Sequence, residues 1–99
     1  MKTEIEFVDT VRDNQIESQI NKELDKLKER YSWLIHAIVY LKLDKEVNRD
    51  HVVEIELRMP GKPIFVKEKS NKFRFAITNA FDVLQRLLEK RKQQLYDHG

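Results

Sequence analysis

Alternation of apolar and charged side chains in short segments is the feature that most limits what this 99-residue chain can fold into. Between His36 and Asp44 every second residue is aliphatic, a period typical of a strand with one buried and one solvated face. Thr3–Val8 and Val53–Met59 alternate in the same way, and Pro63–Glu68 is rich in β-forming residues. The sequence therefore predicts four strands in a sheet that is covered on one side only.

Two other segments carry apolar residues at the helical spacing of three and four. The first follows Asp13 or Asn14, either of which can cap a helix, and its stripe is Ile16, Ile20, Leu24, Leu27 and Tyr31. For the second we expect Ser70 as the cap and a stripe of Phe73, Ile77, Ala80, Phe81, Leu84, Leu88 and, further along, Leu95.

The order β-α-β-β-β-α predicts an α+β fold, a two-layer sandwich in which two helices pack on one face of a four-stranded sheet. Residues 1–99 are expected to form a single domain. Polar turns at Lys45–Asp50 and Met59–Lys62 predict an antiparallel meander of the last three strands. The first strand should pair parallel to a neighbour through a right-handed crossover.

Catalysis is not expected. The chain has no cysteine and only two glycines, which argues against thiol chemistry and against a glycine-rich phosphate loop. His36, His51 and His98 lack acidic residues at metal-ligand spacing, so neither a metal nor another cofactor is predicted. The carboxylates of Glu4, Glu6, Glu54 and Glu56 are better explained by cross-strand pairing with Lys2, Lys42 and Arg58 than by acid–base chemistry.

The first residues are charged, and no apolar run approaches the length that crosses a bilayer. We therefore expect a soluble cytoplasmic protein with no membrane contact and no small-molecule substrate. The net charge is only +2, from 19 Lys and Arg against 17 Asp and Glu. Residues 70–98, however, hold six basic and three acidic side chains, an excess of +3. Such a cluster suits phosphate binding, although cations near a helix end also favour the helix itself.

Several short stretches, taken in order, resemble the ribosome hibernation-promoting factors, also called ribosome-associated inhibitors or sigma-54 modulation proteins. Four segments carry the resemblance: Leu24–Lys28 to "LxKL", Val39–Leu43 to "VxLK", His51–Leu57 with the Pro60-Gly61 turn to "HxVEVxL", and Leu84–Leu95 to "LxRQLxKxKxxL". The likeness is to the short form, which lacks the extra C-terminal dimerisation domain. Where the family usually has Asp-Met-Tyr at the start of the second helix, this chain has Lys72-Phe73-Arg74, and Thr78 replaces an Asp.

The resemblance implies binding to the small ribosomal subunit and its rRNA, in the channel for mRNA and tRNA, and inhibition of translation during starvation. DNA is not an expected partner. Together with the charge pattern it predicts an RNA-binding surface on the helices made of Lys22, Lys26, Arg74, Arg86, Lys90, Arg91 and Lys92. Two alternatives stay open: a protein–protein interaction module of the sigma-modulation type, and a generic binder of structured RNA.

Overall fold

A computed structural model describes residues 1–46 and 50–96. It contains a four-stranded mixed sheet and two α-helices in the order β-α-β-β-β-α, which confirms the predicted α+β fold. The elements are β1 (Lys2–Val8), α1 (Asn14–Arg30), β2 (His36–Asp44), β3 (Asp50–Arg58), β4 (Ile64–Ser70) and α2 (Phe73–Tyr96).

The strands lie side by side in the order β1-β2-β3-β4. β1 runs parallel to β2, with Ile5 opposite Val39, and α1 provides the crossover between them. β2, β3 and β4 form the predicted antiparallel meander, in which Val39 lies opposite Ile55 and Ile55 opposite Val66. β1 and β4 are therefore the two edges of the sheet.

Both helices cover the same face of the sheet. One continuous hydrophobic cluster joins their apolar stripes to the alternate residues of the strands. Its most deeply buried members, each with almost no exposed surface, are Ile20, Leu24, Tyr31, Ala37, Val39, Leu41, Val53, Ile55, Leu57, Ala76, Ile77, Ala80, Leu84 and Leu88. The apolar stripes of the helices, with a period of 3.6 residues, thus pack against the alternate residues of the strands in one core, as the sequence predicted.

α1 begins where a side chain satisfies its free backbone donors. The carboxylate of Asp13 accepts hydrogen bonds from the amides of Gln15 at 2.8 Å and Ile16 at 3.3 Å, which makes Asp13 rather than Asn14 the cap. Arg12 donates to Glu17 at 2.9 Å, and this hydrogen bond lowers the pKa of the Glu17 carboxyl. An acidic group in the first helical turn is also favoured by the helix dipole.

The prediction that Ser70 caps α2 was wrong. Ser70 is the last residue of β4 and lies opposite His51, so the strand continues two residues beyond the predicted end at Glu68. The α-helix begins only at Phe73, and the carbonyl of Lys72 accepts its first bond, from the Ala76 amide at 3.2 Å. Strand pairing with β3 therefore prevails over the local capping tendency of serine.

Other boundaries shift by a few residues. β1 begins at Lys2 rather than Thr3, β3 spans Asp50–Arg58 rather than Val53–Met59, and β4 begins at Ile64 rather than Pro63. Asp50, predicted as the end of a polar turn, opens β3, while residues 47–49 of that turn and His98 lie outside the described residues.

Candidate nucleic-acid interface

The two helices run parallel, and two side-chain contacts fix their alignment. The amide of Gln19 in α1 donates to the carbonyl of Arg74 at 3.2 Å. Twelve residues later, directly after the end of α1, the hydroxyl of Tyr31 donates to the carboxylate of Glu89 in α2 at 2.6 Å. The starts of both helices thus lie at one end of the molecule and their later turns at the other, so side chains on both helices share one outer surface.

Six of the seven predicted RNA-binding residues are exposed: Lys22, Lys26, Arg74, Arg86, Lys90 and Lys92. Among the described residues, only Lys26 of this set makes an ion pair, a 3.5 Å contact with Glu23. Such an exposed pair at a helical spacing of three contributes little to folding. These ammonium and guanidinium groups are therefore accessible to an anionic partner.

Arg86 lies in a cleft of about 370 Å³ between the helices, across from Arg30. The other lining residues are Asp82, Gln85 and Glu89. Arg30 was not predicted as part of the surface, although it lies four residues after Lys26, in the last turn of α1, and so on the same side of that helix. The structure thus brings a cation of α1 next to the predicted basic cluster of α2.

Arg91 differs from the other six because its guanidinium is tied to the β3–β4 turn. Its Nη1 atom donates to the carbonyl of Lys62 at 2.8 Å and to that of Pro60 at 3.5 Å. Gly61 between them has a φ of +90°, a conformation that favours glycine. A Cβ atom there would lie 3.4 Å from Arg91 Nη1, so the turn and the guanidinium pack closely. Arg91 therefore stabilises the β3–β4 turn through these hydrogen bonds.

Arg74 lies far from the remaining α2 cations. Twelve residues separate it from Arg86, which corresponds to roughly 18 Å along an α-helix. Its guanidinium lies 4.8 Å from the ring centre of the neighbouring Phe75. The predicted residues of α2 thus form two groups, one at its start and one along its second half, rather than one continuous patch.

The open face of the sheet is charged but internally paired. Lys42 and Lys67 both approach Glu54, at 3.0 Å and 3.6 Å, and Arg58 bonds Glu56 at 3.0 Å. The predicted cross-strand pairing is confirmed for Lys42, while Arg58 pairs within its own strand. Two further pairs are His36 with Glu4 at 2.8 Å and Lys69 with Asp44 at 3.3 Å. Lys2 makes no ion pair in the described part of the chain.

The family model described as "Sigma 54 modulation protein / S30EA ribosomal protein" matches residues 3–96. The match covers nearly the whole chain. This protein belongs to that family. No curated protein matches the chain.

Two solved structures share the fold of this S30EA-family chain. One is described as a ribosomal subunit interface protein from Coxiella burnetii, with a TM-score of 0.83, 14% identity, and coverage of 93% of this chain and 98% of the other. The second is the N-terminal domain of Thermus thermophilus Protein Y, with a TM-score of 0.77, 24% identity, and coverage of 91% and 98%. At these identities the likeness establishes the fold.

Within residues 1–46 and 50–96, no three His, Asp or Glu side chains lie close enough together to hold a metal ion. None of the described helices combines the length and the apolar character needed to span a membrane. Phe65, 68% exposed, borders a shallow cavity of about 330 Å³ on the open sheet face.

Proposed function

We propose that this protein binds the small ribosomal subunit through the outer surface of its two parallel helices. Membership of a family described as ribosomal supports the partner. The main support for this choice of surface is the set of exposed cations on α1 and α2, on the side away from the sheet. Arg86, Lys90 and Lys92 are its centre, with Lys22, Lys26 and Arg30 beside them.

Inhibition in this proposal is steric. The molecule is elongated, with extents of 49 × 24 × 18 Å, and would fill part of the channel that mRNA and tRNA use. Folded rRNA is recognised mainly through phosphates and shape, which requires exposed cations on a rigid surface and no base code. A cytoplasmic factor of this kind would silence ribosomes during starvation without any catalytic step.

Co-sedimentation with purified small subunits tests the surface. The R86E/K90E variant reverses two exposed charges of α2 and should lose most ribosome binding. The matched control is K2E/K45E, which makes the same change in net charge at exposed positions away from the helices. Arg91 is left intact, since its reversal would also break the contacts with the β3–β4 turn.

Affinity of the parent protein should also fall steeply with salt, by about one unit of log–log slope per neutralised phosphate. Both variants should melt near the parent temperature, because none of the four side chains is buried. Equal sedimentation of R86E/K90E and K2E/K45E would show that the assigned surface is wrong.

A protein–protein interaction module is the second candidate, and one observation favours it. The exposed ring of Phe65 on the edge strand β4, beside the 330 Å³ cavity, gives the open sheet face an apolar point of contact. Under this alternative the parent protein would not sediment with small subunits at any salt concentration. An F65A substitution would then affect partner binding, whereas under the ribosomal proposal it leaves sedimentation unchanged.

A further inference from the structure

The start of α2 carries positive charge where a helix normally prefers negative charge. Its first turn contains no acidic residue, and Lys72 and Arg74 are both exposed there. Free backbone N–H groups at this end of a helix disfavour cations. Neither side chain makes an ion pair within the described residues, so folding does not explain the two cations. We call residues 72–75 the α2 opening turn.

The same turn exposes an aromatic ring. Phe75 is 44% exposed and lies outside the hydrophobic core, in contrast to the buried Phe73 two residues earlier. The guanidinium of Arg74 lies over the Phe75 ring at 4.8 Å. Arginine guanidinium groups and aromatic rings are the side chains on which unpaired nucleobases stack, and here one of each lies side by side in the same turn.

A cleft of about 460 Å³ adjoins the turn, between the starts of α1 and α2. Its lining residues are Asp13, Gln15, Ile16, Gln19, His51, Lys72, Phe73 and Arg74. Two cations thus face one carboxylate, and that carboxylate, Asp13, already accepts hydrogen bonds from the first amides of α1. The charged side chains that line the cleft therefore carry a net positive charge, which suits a phosphate group.

The α2 opening turn is held in place before any ligand binds. Phe73 packs edge-on against the His51 ring of β3, with ring centres 4.6 Å apart. The Arg74 carbonyl accepts hydrogen bonds from Gln19 of α1 at 3.2 Å and from the Thr78 hydroxyl at 2.9 Å. These contacts with β3, α1 and the next turn of α2 fix the backbone of the α2 opening turn. The exposed side chains are therefore partly ordered before binding, which reduces the entropic cost of binding a ligand.

We infer that the α2 opening turn binds an unpaired RNA nucleotide, whose base stacks on the Arg74–Phe75 pair and whose phosphate lies at Lys72 in the cleft. The inference deepens the proposed function, on which it rests, by adding a contact roughly 18 Å from Arg86. A nucleotide would contact all three exposed side chains of the turn, because its base would stack on Arg74 and Phe75 and its phosphate would bind Lys72. An acidic peptide would neutralise the cations but leave the Phe75 ring in water.

Fluorescence anisotropy with a fluorescein-labelled single-stranded hexaadenylate tests the stacking. F75A should weaken binding about tenfold, because stacking on an aromatic ring contributes strongly for each base. The matched control is F65A, which removes an even more exposed phenylalanine from the opposite face of the molecule and should bind like the parent. Equal affinities of F75A and F65A would overturn the inference.

An abasic hexamer, which keeps the ribose phosphates and lacks the bases, separates stacking from charge. F75A should bind this probe as the parent does, whereas K72Q/R74Q should bind both probes more weakly, with a salt slope lower by about 0.7 per lost phosphate contact. The control K2Q/K45Q should change neither. An oligo-aspartate that displaces hexaadenylate from the parent and from F75A equally well would mean a generic acid-binding surface and defeat the inference.

These measurements use the isolated chain, so they stand apart from the ribosomal proposal. A chain that binds hexaadenylate through Phe75 but does not sediment with small subunits would refute the ribosomal function alone. A chain that sediments through Arg86 and Lys90, with F75A and F65A indistinguishable, would refute the nucleotide site alone.

Discussion

The phenol of Tyr31 is buried at the end of α1, with only 1% of its surface exposed, and bonds Glu89 of α2 at 2.6 Å. Its ring also meets Trp33 edge-on at 5.6 Å. Burial, and then the hydrogen bond to Glu89, raise the pKa of Tyr31 to about 12. Tyr31 thus belongs to the core shared with the sheet, and its hydroxyl links the two helices.

The Y31F substitution should destabilise the protein by about 1 kcal/mol at pH 8, because the hydroxyl donates to a carboxylate acceptor. The folded pKa of Tyr31 is raised, so the stability that this proton confers is complete below pH 10 and is lost as pH rises towards 12. Urea unfolding at pH 8 and pH 11.5 should therefore show the parent's advantage over Y31F shrinking or reversing. A constant advantage would contradict the raised pKa of Tyr31.

Helix α2 extends beyond the sheet that supports it. Its 24 residues correspond to a length of roughly 36 Å, more than the strands beneath it span. Leu88 is completely buried, whereas Leu95, predicted as the last member of the same stripe, is 41% exposed. Leu95 lies beside Pro60, Gly61 and Arg91, at the β3–β4 turn. It continues the spacing of the apolar stripe but does not join the buried core.

Leucine-to-alanine substitutions at these two positions should differ sharply. L88A removes a side chain from the packed core and should cost about 2–5 kcal/mol, a large share of the stability of a small domain. L95A should remain within about 0.5 kcal/mol of the parent, since its side chain is already solvated. Circular dichroism during urea unfolding measures both. Similar losses would mean that the last turns of α2 pack on another surface in solution.

The open sheet face and the helix face of the molecule differ in how their charged side chains are paired. On the open sheet the acidic and basic side chains largely pair with one another, whereas Arg86, Lys90 and Lys92 on α2 make no ion pair among the described residues. Unpaired cations lose no existing partner when they bind phosphate, and the proposed ribosomal surface therefore lies on the helices.

Purified protein added to a cell-free translation reaction should inhibit initiation stoichiometrically, with half-inhibition near the ribosome concentration if binding is tight. Excess mRNA and initiator tRNA should relieve the block, because they would compete for the same channel. The R86E/K90E variant should not inhibit, and K2E/K45E should inhibit like the parent. Inhibition far below one protein per ribosome, or cleavage of rRNA on a gel, would contradict inhibition by occupancy.

Local sequence patterns are sufficient to predict the element order, the single covered face of the sheet and nearly all of the core. These follow from periodicities of two and 3.6 residues, which are local properties of the chain. Even the cap at Asp13 is local, since its partners are two and three residues away. Ser70 shows the limit of such reasoning, because its position depends on pairing with His51, nineteen residues earlier.

The grouping of the basic residues, in contrast, depends on contacts between distant parts of the chain. In the folded protein Arg91 donates a hydrogen bond to the carbonyl of Lys62, 29 residues away, and Arg30 lines the same cleft as Arg86. Folding also places Lys72 and Arg74 at a cleft bordered by α1 and β3. The sequence shows how many basic side chains each helix carries. Which of them remain without an ion-pair or hydrogen-bond partner depends on residues that folding brings close from distant segments.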